Sequence, residues 1–288
     1  GAPHRPGTEA HRPGGYRALA LTNRRDPAGA RPAIHRTAGD PGETEPVTDA
    51  DPAPTTGPVP VAAFPADAEL PLGVVEYGPD IPDESNLRLL GPVDGKRLLV
   101  LGAGRGHIAV ALALQGAHVI VVDAHLDRLE AARTLAEAHE VKLELHHGDL
   151  AELAFVRADT VDAALSVHEL GRAEDLDRVL RQVNRVLRTG SAMVCSFPHP
   201  AHLMLDDADA GPPRVVRAYA DRSTRTVADA RVHPRTIAEV VSSFGRANFR
   251  VDALLEPPVQ HDEPSPFWTE TMTLVPTTLI VRGRKDGA

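Results

Sequence analysis

The sequence predicts an α/β fold: a doubly wound, mostly parallel seven-stranded sheet with a reversed C-terminal strand pair. Three observations carry this. Short apolar runs alternate with helical stretches from residue 97 onward, as buried parallel strands and their covering helices do. The first run, LVLGAGRG at Leu99–Gly106, ends in closely spaced glycines, which suits a tight strand-to-helix turn. The last two strand-like runs follow each other with no helical pattern between them, the mark of antiparallel neighbours.

Taken in order, the turn chemistry of residues 77–84 precedes a short helix expected at 86–91. Residues 97–101 form the first strand, and the apolar stretch from His107 forms a helix closed by Gly116. A second strand occupies 118–123. Leu126, Leu129, Ala132 and Leu135 line one face of the next helix, which runs to about His139. Residues 141–145 alternate with period two and 161–167 are apolar, giving the third and fourth strands. Leu176, Val179, Leu180, Val183 and Leu187 recur three and four apart on an amphipathic helix before the fifth strand, 192–197. Thr236 with Glu239 three residues on, and Gly245 at the far end, bracket a capped helix. Residues 250–256 and 277–281 are the closing strand pair.

The composition narrows the partners. The 288 residues are 42% apolar and carry a net charge of −9, with 28 Arg against 3 Lys and no basic cluster, so nucleic acid is not an expected partner. The one cysteine, Cys195, permits no intrachain disulfide and fits a cytoplasmic location. No apolar run approaches the roughly 20 residues of a membrane span, and the N-terminus lacks a secretory core, so no membrane association is expected. Residues 1–65 hold 12 of the 26 prolines and little apolar periodicity. They are expected to be a disordered tail before a folded domain at 66–288, itself carrying an insert around 200–232.

Ligands of open α/β sheets sit beyond the carboxyl ends of the strands. The first end is Gly102-Ala103-Gly104-Arg105-Gly106; a dinucleotide fingerprint would need its third glycine at His107. The second ends in Asp123, which can accept from ribose hydroxyls or cap the following helix. Beyond the third strand, Asp149 in His147-Gly148-Asp149-Leu150 can accept from an adenine amino group or simply make a turn.

Together these segments resemble the class I S-adenosylmethionine-dependent methyltransferases. Leu99–Gly106 is similar to the family's glycine-rich first motif, Val121-Val122-Asp123 to its acidic second, and Gly148-Asp149-Leu150 to its adenine-binding third. Arg185–Ser191 resembles the turn before the fifth strand, with Thr189 in place of the usual proline and Ser191 in place of a glycine. The resemblance spans about residues 70–284. It implies the Rossmann-like methyltransferase fold, S-adenosyl-L-methionine as cofactor, and methyl transfer to a small organic acceptor. It also implies that Gly102, Ala103, Gly104 and Gly106 bed the methionine end, and that Asp123 with Ala124 holds the ribose. Asp149 and Leu150 would select adenine, and Ser166 and Val167 would face the sulfonium. Tyr77 stands where many members close over the cofactor; a turn tyrosine packed on the surface is the other reading.

His168, in Ser166-Val167-His168-Glu169-Leu170, and His199, just beyond the fifth strand, are candidate general bases at the acceptor rim. No proline-rich amine-methylation motif follows the fourth strand, which again disfavours nucleic acid as substrate. Cys195 is expected in the core. Glu169 is expected to be solvated or to cap a helix, and His146 and His147 to be strand-end residues rather than a metal site. In the insert, Leu203, Met204 and Leu205 are candidates for an apolar acceptor pocket with Arg217 and Tyr219 nearby, and Phe267-Trp268 for its border. Two rival functions stay open: a cofactor-binding protein without catalysis, and a nicotinamide-dependent oxidoreductase. Oligomeric state is not legible.

Overall fold

Leu98, Leu99, Val100 and Leu101 are all buried, so the strand that carries them has to lie inside the sheet. The computed structural model describes Phe64, residues 68–206, 213–227, 230–260, Trp268 and residues 270–287. Apart from Phe64, the expected tail lies outside the described residues. The elements in chain order begin with α1 (Glu84–Leu87), β1 (Arg97–Leu101), α2 (His107–Leu114), β2 (His118–Asp123), α3 (Leu126–Ala138), β3 (Leu143–His147) and β4 (Val161–Val167). They continue with α4 (Leu176–Val186), β5 (Leu187–Pro198), the short strands β6 (Leu205–Asp206), β7 (Arg214–Val215), β8 (Arg225–Val227) and β9 (Ala230–Val232), then α5 (Ile237–Arg246), β10 (Phe249–Leu255) and β11 (Thr278–Lys285).

Seven strands form one sheet in the order β10-β11-β5-β4-β1-β2-β3. β1 pairs in parallel with both β2 and β4, and β11 enters between β5 and β10 antiparallel to each. The expected doubly wound sheet with its reversed terminal pair is therefore the observed one. Helices cover both faces. The α4 face expected from spacing is buried through Leu176, Val179, Leu180, Val183 and Val186, and shares one apolar cluster with Val240 and Phe244 of α5. A second cluster joins Ala109 and Leu112 of α2 to Leu129 and Ala132 of α3. The capping box of α5 is present, with Thr236 and Glu239 serving each other's backbone N–H groups.

Three boundaries differ from expectation, each for a local reason. The first helix is a single turn ending at Arg88 in the left-handed region, because the Glu84 carboxylate takes the N–H groups of Leu89, Leu90 and Gly91 that a longer helix would have turned inward. β3 starts two residues late and includes both histidines, following its register with Val119–Asp123. β5 begins at Leu187 directly after α4, since Leu187 pairs with Val161 ahead of a bulge.

The insert contributes two small antiparallel pairs, β6 with β7 and β8 with β9. Leu203 and Leu205 are buried, and the Arg225 guanidinium donates to both of their carbonyls. The small cavity that Leu203 lines with Pro198, Val232 and Pro234 is only about 10 Å³. These leucines therefore pack the domain; the expected acceptor pocket is not built from them.

Gly106, the N-cap of α2, adopts φ +92°, and a Cβ there would stand 2.5 Å from Ala132 Cα of α3. It lines neither of the cavities described below, so its glycine serves the packing of α2 on α3 rather than a ligand. Gly104, at φ +52°, has open space around the same direction. Gly106→Ala is thus expected to cost about 2–4 kcal/mol, from strain plus overpacking. Gly104→Ala should cost only the left-handed penalty of about 1–2 kcal/mol. Urea unfolding of the two variants checks the order.

Candidate functional site

The chain leaves β1 toward β2 and β3 and returns to β4 on the other side, so the strand order reverses between β1 and β4. A crevice opens at such a point beyond the carboxyl ends of the strands. Two cavities lie there. One, of about 50 Å³, is walled by Gly102, Ala103, Gly104, Arg105, Val167 and His168, with Phe64 and Leu70 across from them. The other, of about 660 Å³, is walled by Asp123, Ala124, His147, Gly148, Asp149 and Leu150. The larger one falls within the usual range for small-molecule sites, roughly 300–1,000 Å³.

Asp123 joins the parts. It is 2% exposed, and its Oδ2 accepts the Ala103 N–H at 2.7 Å, tying the glycine loop to the end of β2. Its Oδ1 accepts from the His125 N–H at 2.8 Å and faces the His125 ring at 3.0 Å. The N-cap of α3 is His125, so Asp123 does not cap that helix in the ordinary way. A carboxylate has about four acceptor positions, which leaves one on Oδ2, where Arg128 stands as an ion pair at 3.7 Å beyond hydrogen-bond distance, and a second if the half-exposed His125 ring swings out. Asp149 spends one oxygen on the Ala151 N–H at 2.7 Å while lining the larger cavity beside Leu150. Gly148, like Gly104, has nothing within reach of a Cβ. A carboxylate able to take ribose hydroxyls, a second at the far wall and the uncrowded Gly148 fit the adenosine end of S-adenosylmethionine.

The methionine end is different. The side chain of Glu169 lies over Gly102, where any Cβ would overlap its Cγ. Glu169 follows His168 in a one-turn 3-10 helix, Glu169–Gly171, and its Oε1 accepts from Arg128 and pairs with Arg172, each at 3.0 Å. All three side chains are 12–16% exposed. Burial pushes the Glu169 carboxyl up, and the two guanidinium groups oppose that shift. The expectation of a solvated or capping Glu169 is thus overturned. Sequence reading also passed over Arg128 and Arg172. A signal existed in Glu169 and Arg172, three apart just beyond a strand end, but Arg128 meets them only through the tertiary fold.

His168 has φ +61° and donates its backbone N–H to Ser196 O at 3.0 Å. Its ring is buried, stacks near Phe64 with centroids 6.3 Å apart, and neither nitrogen has a hydrogen-bond partner in good geometry. Burial foremost, with Arg172 nearby, pushes its pKa down to about 3, and the Tyr77 backbone offsets only part of this. The imidazole is neutral and a weak base. His199 is placed differently. Its Nδ1 accepts from the Ala201 N–H at 3.1 Å, which leaves the proton on Nε2 facing Glu256 Oε1 at 2.8 Å. Both nitrogens are spent and His199 lines neither cavity, so this geometry does not provide the expected second base.

Ser166 Oγ donates to Leu101 O at 3.0 Å, locking the ends of β4 and β1 together, while Val167 faces the glycine cavity. Tyr77 is fully buried, not a surface turn residue, and its hydroxyl donates to Glu84 Oε2 at 2.6 Å. Burial and that carboxylate raise its pKa. It supports the site from behind: a Cβ on the adjacent Gly78 would sit 3.2 Å from His168 Nε2. Cys195 lies in the core as expected, its thiol pushed up by burial. His146 and His147 are strand-end residues, bonded to Glu144 and to Ala124 O. Tyr219 accepts from the Ile237 N–H, and Arg217 pairs with Asp221. Phe267 lies outside the described residues, and Trp268 is half-buried.

Residues 98–190 match the protein family described as a methyltransferase domain. A demethylmenaquinone methyltransferase from Clavibacter sepedonicus is 35% identical over 114 residues, 39% of this chain and 46% of the relative. A magnesium-protoporphyrin O-methyltransferase from Rhodobacter capsulatus is also 35% identical, over 41% of this chain and 52% of its own length. The chain spans about half the length of the curated relatives it matches. Among solved structures, an S-adenosylmethionine-dependent methyltransferase from Mesorhizobium loti superposes with a TM-score of 0.58 at 22% identity, over 69% of this chain and 95% of that one. The geranyl diphosphate C-methyltransferase of Streptomyces coelicolor A3(2) gives 0.54 at 13% identity, over 70% and 78%. These two likenesses are of fold.

The buried imidazole predicts a pH effect on stability. The unfolded chain protonates His168 near pH 6.5 and the folded chain near 3, so the unfolded state binds more protons in that window. Stability from this group is complete above pH 6.5 and falls as pH drops toward 3. Its slope is up to about 1.4 kcal/mol per pH unit. In urea unfolding across pH 4–7, His168→Leu should lose that part of the slope.

Proposed function

We propose that the chain, whose residues 98–190 match a methyltransferase domain, is a class I S-adenosylmethionine-dependent methyltransferase that transfers a methyl group to a small organic acceptor. The observation that carries this reading is Asp123, a nearly buried carboxylate bonded to the glycine loop while lining the roughly 660 Å³ cavity with Asp149. When bound, S-adenosylmethionine supplies a methyl group already activated on a sulfonium, so transfer is an in-line displacement. The chain's task is alignment and exclusion of water, and orientation alone can lower such a barrier by about 7–11 kcal/mol.

In this reading Asp123 takes a ribose hydroxyl at its remaining Oδ2 position, with Ala124 alongside, and Asp149 and the Leu150 amide select adenine. Gly102, Ala103 and Gly104 bed the methionine chain, and Val167 with Leu165 forms a dry wall at the reacting end. Neutral His168 accepts a hydrogen bond from the acceptor and orients it. A weak base suits an acceptor that is already a good nucleophile. The names of the relatives, which refer to a demethylated menaquinone and a magnesium porphyrin, support a small-molecule acceptor here.

The division into a tail before residue 66 and a catalytic domain after it belongs to this proposal, as does a cytoplasmic location. No helix among the described residues is long and apolar enough to cross a membrane.

Titration calorimetry with S-adenosylhomocysteine should show binding that Asp123→Ala weakens at least about 100-fold, through loss of a charge-assisted bond and of the loop's anchor. Binding of NAD in its place would overturn the assignment. Transfer of labelled methyl from the cofactor into a metabolite extract then separates catalysis from binding alone. Once an acceptor is found, His168→Ala should keep S-adenosylhomocysteine affinity within about threefold while slowing transfer about tenfold, the scale of one orienting hydrogen bond.

A further inference from the structure

Glu169 and Arg172 belong to the walls of both cavities, so their ion pair is the partition between the two. On the glycine side about 50 Å³ remains, room for a few waters. The aminobutyrate portion of S-adenosylmethionine cannot enter that space while Glu169 lies on Gly102. The obstruction is itself a carboxylate, and both guanidinium groups converge on its Oε1. Arg172 has no other ion-pair partner among the described residues. Arg128 keeps Asp123 Oδ2 at 3.7 Å if Glu169 moves, but Arg172 keeps nothing, so whatever moves Glu169 must bring an anion of its own, because a largely buried guanidinium group left unpaired is costly.

The cofactor carries such an anion on its amino-acid end. Resting on the methyltransferase reading, we propose that Glu169 is an internal stand-in for the cofactor's carboxylate. Its side chain holds Arg128 and Arg172 and closes the glycine compartment until that carboxylate replaces it. The exchange is of like for like: one carboxylate leaves the arginines as another arrives, and Arg172 stays in the wall of the adenosine cavity. The same partition confers selectivity. A nucleoside thioether without the amino-acid end, such as 5′-methylthioadenosine, fits the larger cavity but has nothing with which to displace Glu169.

Calorimetric titration of the full chain with S-adenosylhomocysteine and 5′-methylthioadenosine tests the proposal on four proteins: wild type, Glu169→Ala, Glu169→Gln and Arg172→Met. Removing the internal competitor in Glu169→Ala should tighten S-adenosylhomocysteine about tenfold or more, with Glu169→Gln between it and wild type. Arg172→Met should weaken it about tenfold, the scale of one hydrogen bond to a charged group. 5′-Methylthioadenosine should change less than about threefold throughout. The glutamine variant keeps the side chain's shape, so the comparison survives if the alanine variant folds poorly. Unchanged or weaker S-adenosylhomocysteine binding on losing the Glu169 charge overturns the proposal alone. So does an equal shift for both ligands. Failure of S-adenosylhomocysteine to bind any of the four proteins overturns the methyltransferase reading as well.

Discussion

Everything at the crevice depends on one hydrogen bond, from the Ala103 amide to the Asp123 carboxylate at 2.7 Å. β1 and β2 are parallel neighbours, so their carboxyl ends lie side by side without further effort. What the ladder does not settle is how the chain leaves β1. Gly102, Gly104 and Gly106 all have positive φ, and a backbone that free needs an anchor. Asp123 provides it from the adjacent strand end, and the Ser166 hydroxyl does the same for β1 and β4 through Leu101 O. The loop is held between its two neighbours, and α2 starts in a defined direction against α3.

The polar groups around this anchor divide the crevice by charge. On the β2–β3 side the carboxylates of Asp123 and Asp149 face a roomy cavity. On the β1–β4 side an apolar wall surrounds a neutral histidine, and Arg128 and Arg172 are balanced by Glu169 together with Asp123, which stands 3.7 Å from Arg128. Low exposure strengthens each of those interactions and makes each unpaired member expensive. This end of the crevice therefore behaves as a unit: the position of any one of its side chains is set by the others.

The sheet was legible because its signals are local. Apolar runs, glycine stops and the Thr236–Glu239 box are all written within a few residues of the elements they create. The carboxylates at strand ends were legible for the same reason. The boundaries that shifted did so where tertiary partners intervened, as when Glu84 captured the amides of Leu89–Gly91. The site was half legible. Spacing cannot show that Arg128, in the first turn of α3, reaches a glutamate beyond β4, because 41 residues separate them. Nor can residue type separate His168, buried with unpartnered nitrogens, from His199, whose nitrogens are both engaged. Leu203 and Leu205 likewise read as pocket or as packing until Arg225 is seen closing over their carbonyls.

The placement of β11 has a bearing on how the chain is made. This strand, far along in chain order, is an interior strand of the sheet, flanked by β5 and β10. During synthesis β5 emerges with Met193, Val194, Cys195 and Phe197, all destined for the core, and its open edge has no partner until residues 278–285 arrive. Over that interval an unpaired strand edge, apolar through most of Ala192–Phe197, is available to any passing strand, the situation in which edge-to-edge aggregation begins. The nascent protein thus has its greatest need of protection in the stretch between residues 198 and 278, after its ligand-facing strands are complete and before its sheet is closed.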